Sequence, residues 1–183
     1  MNDQKTIMIC GVPGVGKTTI VHKFVQHHHN WLHIEAGKLL KQRIKKFSDF
    51  ELSLRNQDKI IENQNLIIEE FKKVVGVSRN RNVLFDSHIV VLSSEGVIKI
   101  PANIIKEFKP DKIIYVWDEP KIISKNIMKD TSRIRVHGSL QQIKEFQSIG
   151  VSYAQELAQL LGIEVVFVKS NELEQVLERL VNI

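Results

Sequence analysis

The chain's 183 residues amount to one domain, long enough to bury a core without disulfide or metal staples. Hydrophobic content of 43% and charged content of 26% are ordinary for a soluble globular protein, and one cysteine excludes an internal disulfide. No apolar run is long enough to span a bilayer and residues 1–5 lack a signal-peptide pattern, so no membrane role and a cytoplasmic address are expected.

Thr6–Cys10 is a short apolar run of buried-strand type, with Cys10 as an inert buried thiol. It leads into Gly11-Val12-Pro13-Gly14-Val15-Gly16-Lys17-Thr18, which fits the phosphate-loop pattern G-x-x-x-x-G-K-[ST] at every fixed position. From Thr19 to Val25 the apolar residues fall at helical spacing. Strand, glycine loop and helix together give the motif its meaning. The glycines let successive N–H groups turn inward towards phosphate oxygens, and the helix N-terminus adds roughly half a positive charge at the same point. A nucleoside triphosphate, ATP in the simplest case, is expected along Gly11 to Thr19. Lys17 should reach its β- and γ-phosphates, and the Thr18 hydroxyl should ligate Mg²⁺.

His27-His28-His29 lies at a helix end where adjacent residues diverge, and reads as a surface turn rather than a metal site. Leu32–Glu35 is a second short strand, and Ala36-Gly37 opens a basic helix through Lys46. After turn material at Ser48-Asp49, a long amphipathic helix from about 54 to 75 carries Ile60, Ile61, Gln64, Ile67, Ile68 and Phe71 on one face. Residues 76–82 are polar and turn-like, and Val83–Asp86 is a third strand ending in an acid, followed by Ser87 and His88. The 89–100 stretch alternates around Ser93-Ser94-Glu95-Gly96, as a hairpin or an extended loop would. Pro101 suits the first turn of a helix to Phe108. Lys112–Trp117 is a fourth strand closed by Asp118-Glu119-Pro120, with a helix then running to about Lys129. The polar connection 130–138 carries Arg133 and Arg135. A helix of roughly 139–161 follows, with Gly150 a weak point within it, and a fifth strand at 164–168 and a helix at 173–181 close the chain.

Five unalternating apolar strands separated by helices predict an α/β chain with the three-layer P-loop NTPase fold: a five-stranded parallel sheet with helices on both faces, in a single domain over 1–183. Right-handed crossovers would bring every strand's C-terminal end to one edge, carrying the phosphate loop, Glu35-Ala36-Gly37, Asp86-Ser87-His88, Asp118-Glu119 and Ser170-Asn171. Phosphoryl transfer needs positioning and charge neutralisation there. Asp86 is the first candidate to hold the metal through water, and Asp118 its rival, although a strand-terminal Asp can also be a helix cap. Arg133 and Arg135, two residues apart between helices, can close over the nucleotide and stabilise the transferring group; the alternative is an exposed basic turn. His88 could contact an acceptor phosphate or the water near Asp86, or serve structurally. Arg55 is an acceptor-phosphate candidate on position alone.

The net charge of +5 fits a phosphate-handling enzyme or a nucleic-acid binder. Two basic clusters, Lys41, Arg43, Lys45 and Lys46, then Lys72, Lys73, Arg79 and Arg81, lack interleaved aromatics and read as solvated faces.

The combination resembles the archaeal-type adenylate kinases of the P-loop nucleoside monophosphate kinase superfamily, over most of the chain. The likeness rests on Gly11 to Thr18, Asp86-Ser87-His88, Pro101, Glu119-Pro120-Lys121-Ile122-Ile123, Lys129-Asp130-Thr131-Ser132-Arg133-Ile134-Arg135, and Asn171 after the last strand. It implies the reaction ATP + AMP = 2 ADP with Mg²⁺ and a short lid at about 130–138 carrying Arg133 and Arg135. It further implies an AMP-side helical region at about 36–75 that includes Gly37 and Arg55, Asn171 near the donor adenine, and a homo-oligomer, often a trimer. The shorter Asp-x-His kinases of eukaryotic nuclei are a more distant likeness. The chain departs from the family at Lys38, where an acid is common, at Val136, at Asn126 and Val151, where arginines are expected, and at Val97-Ile98-Lys99-Ile100-Pro101. These departures keep open a second class, a P-loop ATPase or nucleotide-switched binding protein, and behind it an RNA-associated factor supported by charge alone.

Overall fold

The computed structural model describes residues 4–44, 57–78, 80–93, 96–130 and 138–181. Five strands, β1 (Thr6–Cys10), β2 (Trp31–Glu35), β3 (Asn82–Asp86), β6 (Lys112–Trp117) and β7 (Glu164–Lys169), form one parallel sheet in the order β2-β3-β1-β6-β7. The segment 89–100 is the hairpin alternative: β4 (Val90–Ser93) pairs antiparallel with β5 (Gly96–Lys99). The helices are α1 (Lys17–His27), α2 (Ala36–Arg43), α3 (Gln57–Val77), α4 (Ala102–Glu107), α5 (Pro120–Lys129), α6 (Leu140–Leu161) and α7 (Leu173–Val181). No helix among the described residues is long and apolar enough to cross a membrane.

The inner strands β3, β1 and β6 lack polar alternation because both of their faces are covered. Successive side chains still point to opposite faces. Ile7 and Ile9 join Leu84, Ile114 and Val116 under α1, α5 and α7, where Val21, Phe24, Ile123, Ile127, Leu173 and Leu177 meet them. Met8 and Cys10 join Phe85, Ile113 and Tyr115 on the other face, against Phe71 of α3, Phe108 after α4, and Tyr153 and Leu157 of α6. Phe71, Phe85 and Phe108 form a tight aromatic triplet, with ring centroids 4.6–5.2 Å apart.

Some boundaries differ from the sequence reading. Helix α3 runs through Gly76 to Val77, because its buried face, Ile60 to Phe71, is long enough to carry a solvent-facing glycine along. Strand β7 extends to Lys169 and passes through a short 3-10 turn, Ser170–Glu172, into α7. Ser139 starts α6 with a reciprocal capping box to Gln142, and Gly162 ends it at φ 64°.

Gly150 is required by packing rather than being a flaw in α6. A Cβ there would overlap the Tyr115 hydroxyl, which donates to Gln147 O at 3.4 Å. Gly150→Ala should therefore destabilise the fold by about 1–3 kcal/mol despite its better helix propensity. Thermal unfolding should show a lowered Tm, with a smaller loss in a Tyr115→Phe background.

Candidate functional site

The phosphate loop leaves β1 at the C-terminal edge of the sheet. Gly11, Gly14 and Gly16 adopt φ of 146°, 86° and 102°, conformations that side chains rarely tolerate. Two of them also meet neighbours: a Cβ on Gly11 would overlap Val116 O, and one on Gly14 would overlap Ile127 of α5. Val12 and Val15 turn inward and are buried in the α1-side core, with Pro13 at the turn between them. The Asn126 amide of α5 donates to Gly14 O at 3.0 Å. The loop is thus clamped between β6, α5 and the core.

Helix α1 begins directly after Gly16 with no side-chain cap and no acid in its first turn, which leaves its first N–H groups without a local capping side chain. Lys17 is 5% exposed and donates to Gly11 O at 2.9 Å and Val12 O at 3.3 Å. Thr18 donates its hydroxyl to Asp86 Oδ2. Thr19, the next residue, is exposed.

Asp86 ends β3, in register with Ile9 of β1 and Glu35 of β2. It is buried, and burial alone would raise its pKa. The approach of the His33 imidazole (at 3.8 Å, longer than a formed hydrogen bond), the Lys17 charge, the Thr18 hydroxyl and the His88 charge outweigh that effect and hold the carboxyl at about 2. Asp86 is therefore a carboxylate at any physiological pH. His33 was not singled out in the sequence. Its Nε2 lies 3.8 Å from Asp86 Oδ2, and its side chain is almost wholly buried. Period-2 alternation places it on the face of Glu35, but only the β2–β3 register brings it to Asp86. His88 Nδ1 is 2.9 Å from Gly11 O, at the mouth of the loop.

Asp118 is at the same edge but is committed locally. Its Oδ1 accepts from Glu119 N at 2.7 Å and its Oδ2 from the Ser170 hydroxyl, while Gln147 of α6 bonds its backbone N–H and C=O at 3.1 and 2.9 Å. These bonds join β6 to α6 and to the turn after β7. Asn171 is the exposed neighbour of Ser170, and Gly37 is exposed in the first turn of α2. Lys38, also in that turn, pairs with Glu35. Val151 packs against the core. Arg55, Arg133, Arg135 and Val136 lie outside the described residues.

Lys17, Thr18, Asp86, His33 and His88 thus converge on the loop. Among the described residues no group of three or more His, Cys, Asp or Glu is arranged to hold a metal. A hydroxyl beside one ionised carboxylate suits Mg²⁺ instead, which retains waters and takes other ligands from phosphates. The glycine loop with an uncapped helix start suits a polyphosphate.

Residues 10–144 match the AAA domain family. The adenylate kinase of Methanocaldococcus jannaschii is 24% identical, the alignment covering 98% of this chain and 97% of that one. The adenylate kinase of Pyrococcus horikoshii is 25% identical over 97% and 93%, and that of Pyrobaculum aerophilum 26% identical over 81% and 76%. In solved structures the fold is shared with the shikimate kinase of Acinetobacter baumannii, at TM-score 0.64 and 13% identity over 97% of this chain and 93% of that one. The shikimate kinase of Bacteroides thetaiotaomicron gives TM-score 0.63 at 13% identity, over 98% and 99%.

The low pKa of Asp86 has a stability consequence. Its folded value lies below the ordinary 3.8, so its ionisation stabilises the native state fully above about pH 4, and this is lost as pH falls towards 2. Acid unfolding of the wild type should steepen across that window. Asp86→Asn should flatten the dependence there and leave the slope above pH 5 unchanged.

Proposed function

We propose, from the premise that this chain belongs to the AAA domain family, that it is a nucleoside monophosphate kinase moving the γ-phosphoryl group of ATP to AMP with Mg²⁺ (ATP + AMP = 2 ADP). That it is a phosphotransferase is common ground with its kinase relatives. The observation that carries the reading is the contact of Thr18 with the ionised Asp86 beside Lys17 and the glycine loop. AMP as acceptor is supported by likeness to adenylate kinases over nearly the full length of both chains, together with the Asp130-Thr131-Ser132-Arg133-Ile134-Arg135 segment.

In this reading the loop N–H groups and Lys17 bind the donor phosphates. The Lys17 ammonium exchanges the carbonyls of Gly11 and Val12 for phosphate oxygens. Thr18 and, through water, Asp86 would hold the Mg²⁺, which supplies charge neutralisation on the phosphates. An AMP phosphate oxygen is already anionic at neutral pH, so the transfer needs no general base, and Asp86 has no proton to move. The chain's contribution is alignment and positive charge. Arg133 and Arg135 are assigned to the transferring group, as a lid over 130–138. Arg55, Gly37 and His88 are assigned to the acceptor side within a region spanning 36–75 and the end of β3, and Asn171 to the donor base. A homo-oligomer, a trimer by resemblance, is a separate expectation that sedimentation would test.

A second reading, an ATPase or nucleotide-switched binding protein, draws on three observations. Lys38 neutralises Glu35 where the family commonly has an acid, Asn126 bonds the loop where an arginine is expected, and Val151 packs into the core. RNA association would be a further branch of that reading, marked by binding that falls steeply with salt.

The deciding experiment is product formation from Mg·ATP with AMP, CMP, UMP or GMP, against a control without acceptor. Transfer to AMP well above the control is expected, whereas acceptor-independent ADP release alone would favour the second reading. Lys17→Ala should abolish turnover. Arg133→Ala should lower kcat by on the order of 10³ with little change in ATP affinity; an unchanged kcat would remove the lid assignment.

A further inference from the structure

Three buried side-chain nitrogens among the described residues have no hydrogen-bond partner: Trp31 Nε1, Arg81 Nε and His33 Nε2. Burying such a group unpaired is unfavourable, so each needs a reason. Trp31 and Arg81 sit together at the opposite edge of the sheet, where Arg81 Nη2 donates to Trp31 O at 2.7 Å. They tie the start of β2 to the turn before β3 and are remote from the loop. His33 is the exception, since its Nε2 is 3.8 Å from Asp86 Oδ2, just beyond hydrogen-bond length, and both side chains are more than nine-tenths buried.

The placement follows from the sheet. His33 pairs in register with Leu84 and Glu35 with Asp86, so His33 lies on the Asp86 face, one strand over and two residues below. That face is the one covered by α1, whose first turn supplies Thr18. Asp86 therefore has a hydroxyl and an imidazole on the same oxygen, Oδ2. Rotation of an aspartate carboxylate about its last bond is soft, and one hydrogen bond leaves it able to pivot.

We propose that His33 is a positioning residue of the phosphoryl-transfer site: its Nε2 donates to Asp86 Oδ2 and, with Thr18, fixes the carboxylate that would hold Mg²⁺ through water. This deepens the phosphotransferase reading and rests on it. The arrangement is that of a second-layer group orienting a metal-side ligand, where losing the orienting group weakens metal binding about 10–100-fold. The Thr18 hydroxyl can keep donating its hydrogen to Asp86 while offering a lone pair to the cation, so the two roles are compatible.

The test measures the affinity of a non-hydrolysable ATP analogue with saturating Mg²⁺ and with a chelator, for wild type, His33→Leu and His33→Gln. The Leu variant keeps similar volume without a donor, while the Gln side-chain nitrogen takes the place of Nε2. The expected result is an at least tenfold loss, in His33→Leu, of the affinity gained on adding Mg²⁺, with metal-free binding unchanged and recovery in His33→Gln. An unchanged gain in His33→Leu, or equal weakening with and without Mg²⁺, would overturn the proposal. Should the Leu variant not fold, ¹⁵N NMR of the wild-type histidines decides. A proton on Nε2 of His33 with Mg²⁺ and analogue bound supports the assignment, and a proton on Nδ1 alone overturns it. Because the readout is Mg²⁺-linked binding, failure to phosphorylate AMP would remove the acceptor assignment without touching this one.

Discussion

The hydrogen bond from Thr18 to Asp86 joins the first turn of α1 to the end of β3. The two residues are far apart in sequence, and the parallel pairing of β1 with β3 is what makes them neighbours. With Ile9 opposite Asp86, the acid stands level with the last residues of β1, just below the start of the loop. A slip of one residue in that register would turn Asp86 to the other face, against Phe71 and Phe108, and turn Phe85 away from them. The hydrophobic core and the candidate site therefore enforce the same pairing.

The parts legible in the sequence are those set by local pattern. The glycine loop has fixed spacing, and the strands announce themselves as short, mainly apolar runs between helical stretches. What was not legible depends on contacts between distant segments. His33 reads as one polar residue in a short strand until β2 is laid beside β3. Asp86 and Asp118 are rival strand-terminal acids in the sequence, and only the structure shows the bonds with Glu119, Ser170 and Gln147 that engage Asp118. Gly76 reads as the start of a turn and Gly150 as a weak point, yet the first is carried along by the buried face of α3 and the second makes room for Tyr115.

The departures from the archaeal adenylate kinase pattern fall unevenly. Nothing in the glycine loop, Lys17, Thr18 or Asp86 departs from it. Asn126, Lys38 and Val151 do, and each has a local partner: a loop carbonyl, the Glu35 carboxylate, and the apolar core. Each of these side chains is accounted for by its own surroundings.

Cys10 lies in β1, the middle strand of five, with no exposed surface and with its thiol pushed far above the ordinary range by burial. The thiolate is the reactive form, and it is available only once that strand has left the sheet. Core strands open with free energies that reach up to that of global unfolding. The chain's single cysteine is thus a built-in clock: the rate at which a thiol reagent labels the native protein reads how often the core around β1 opens.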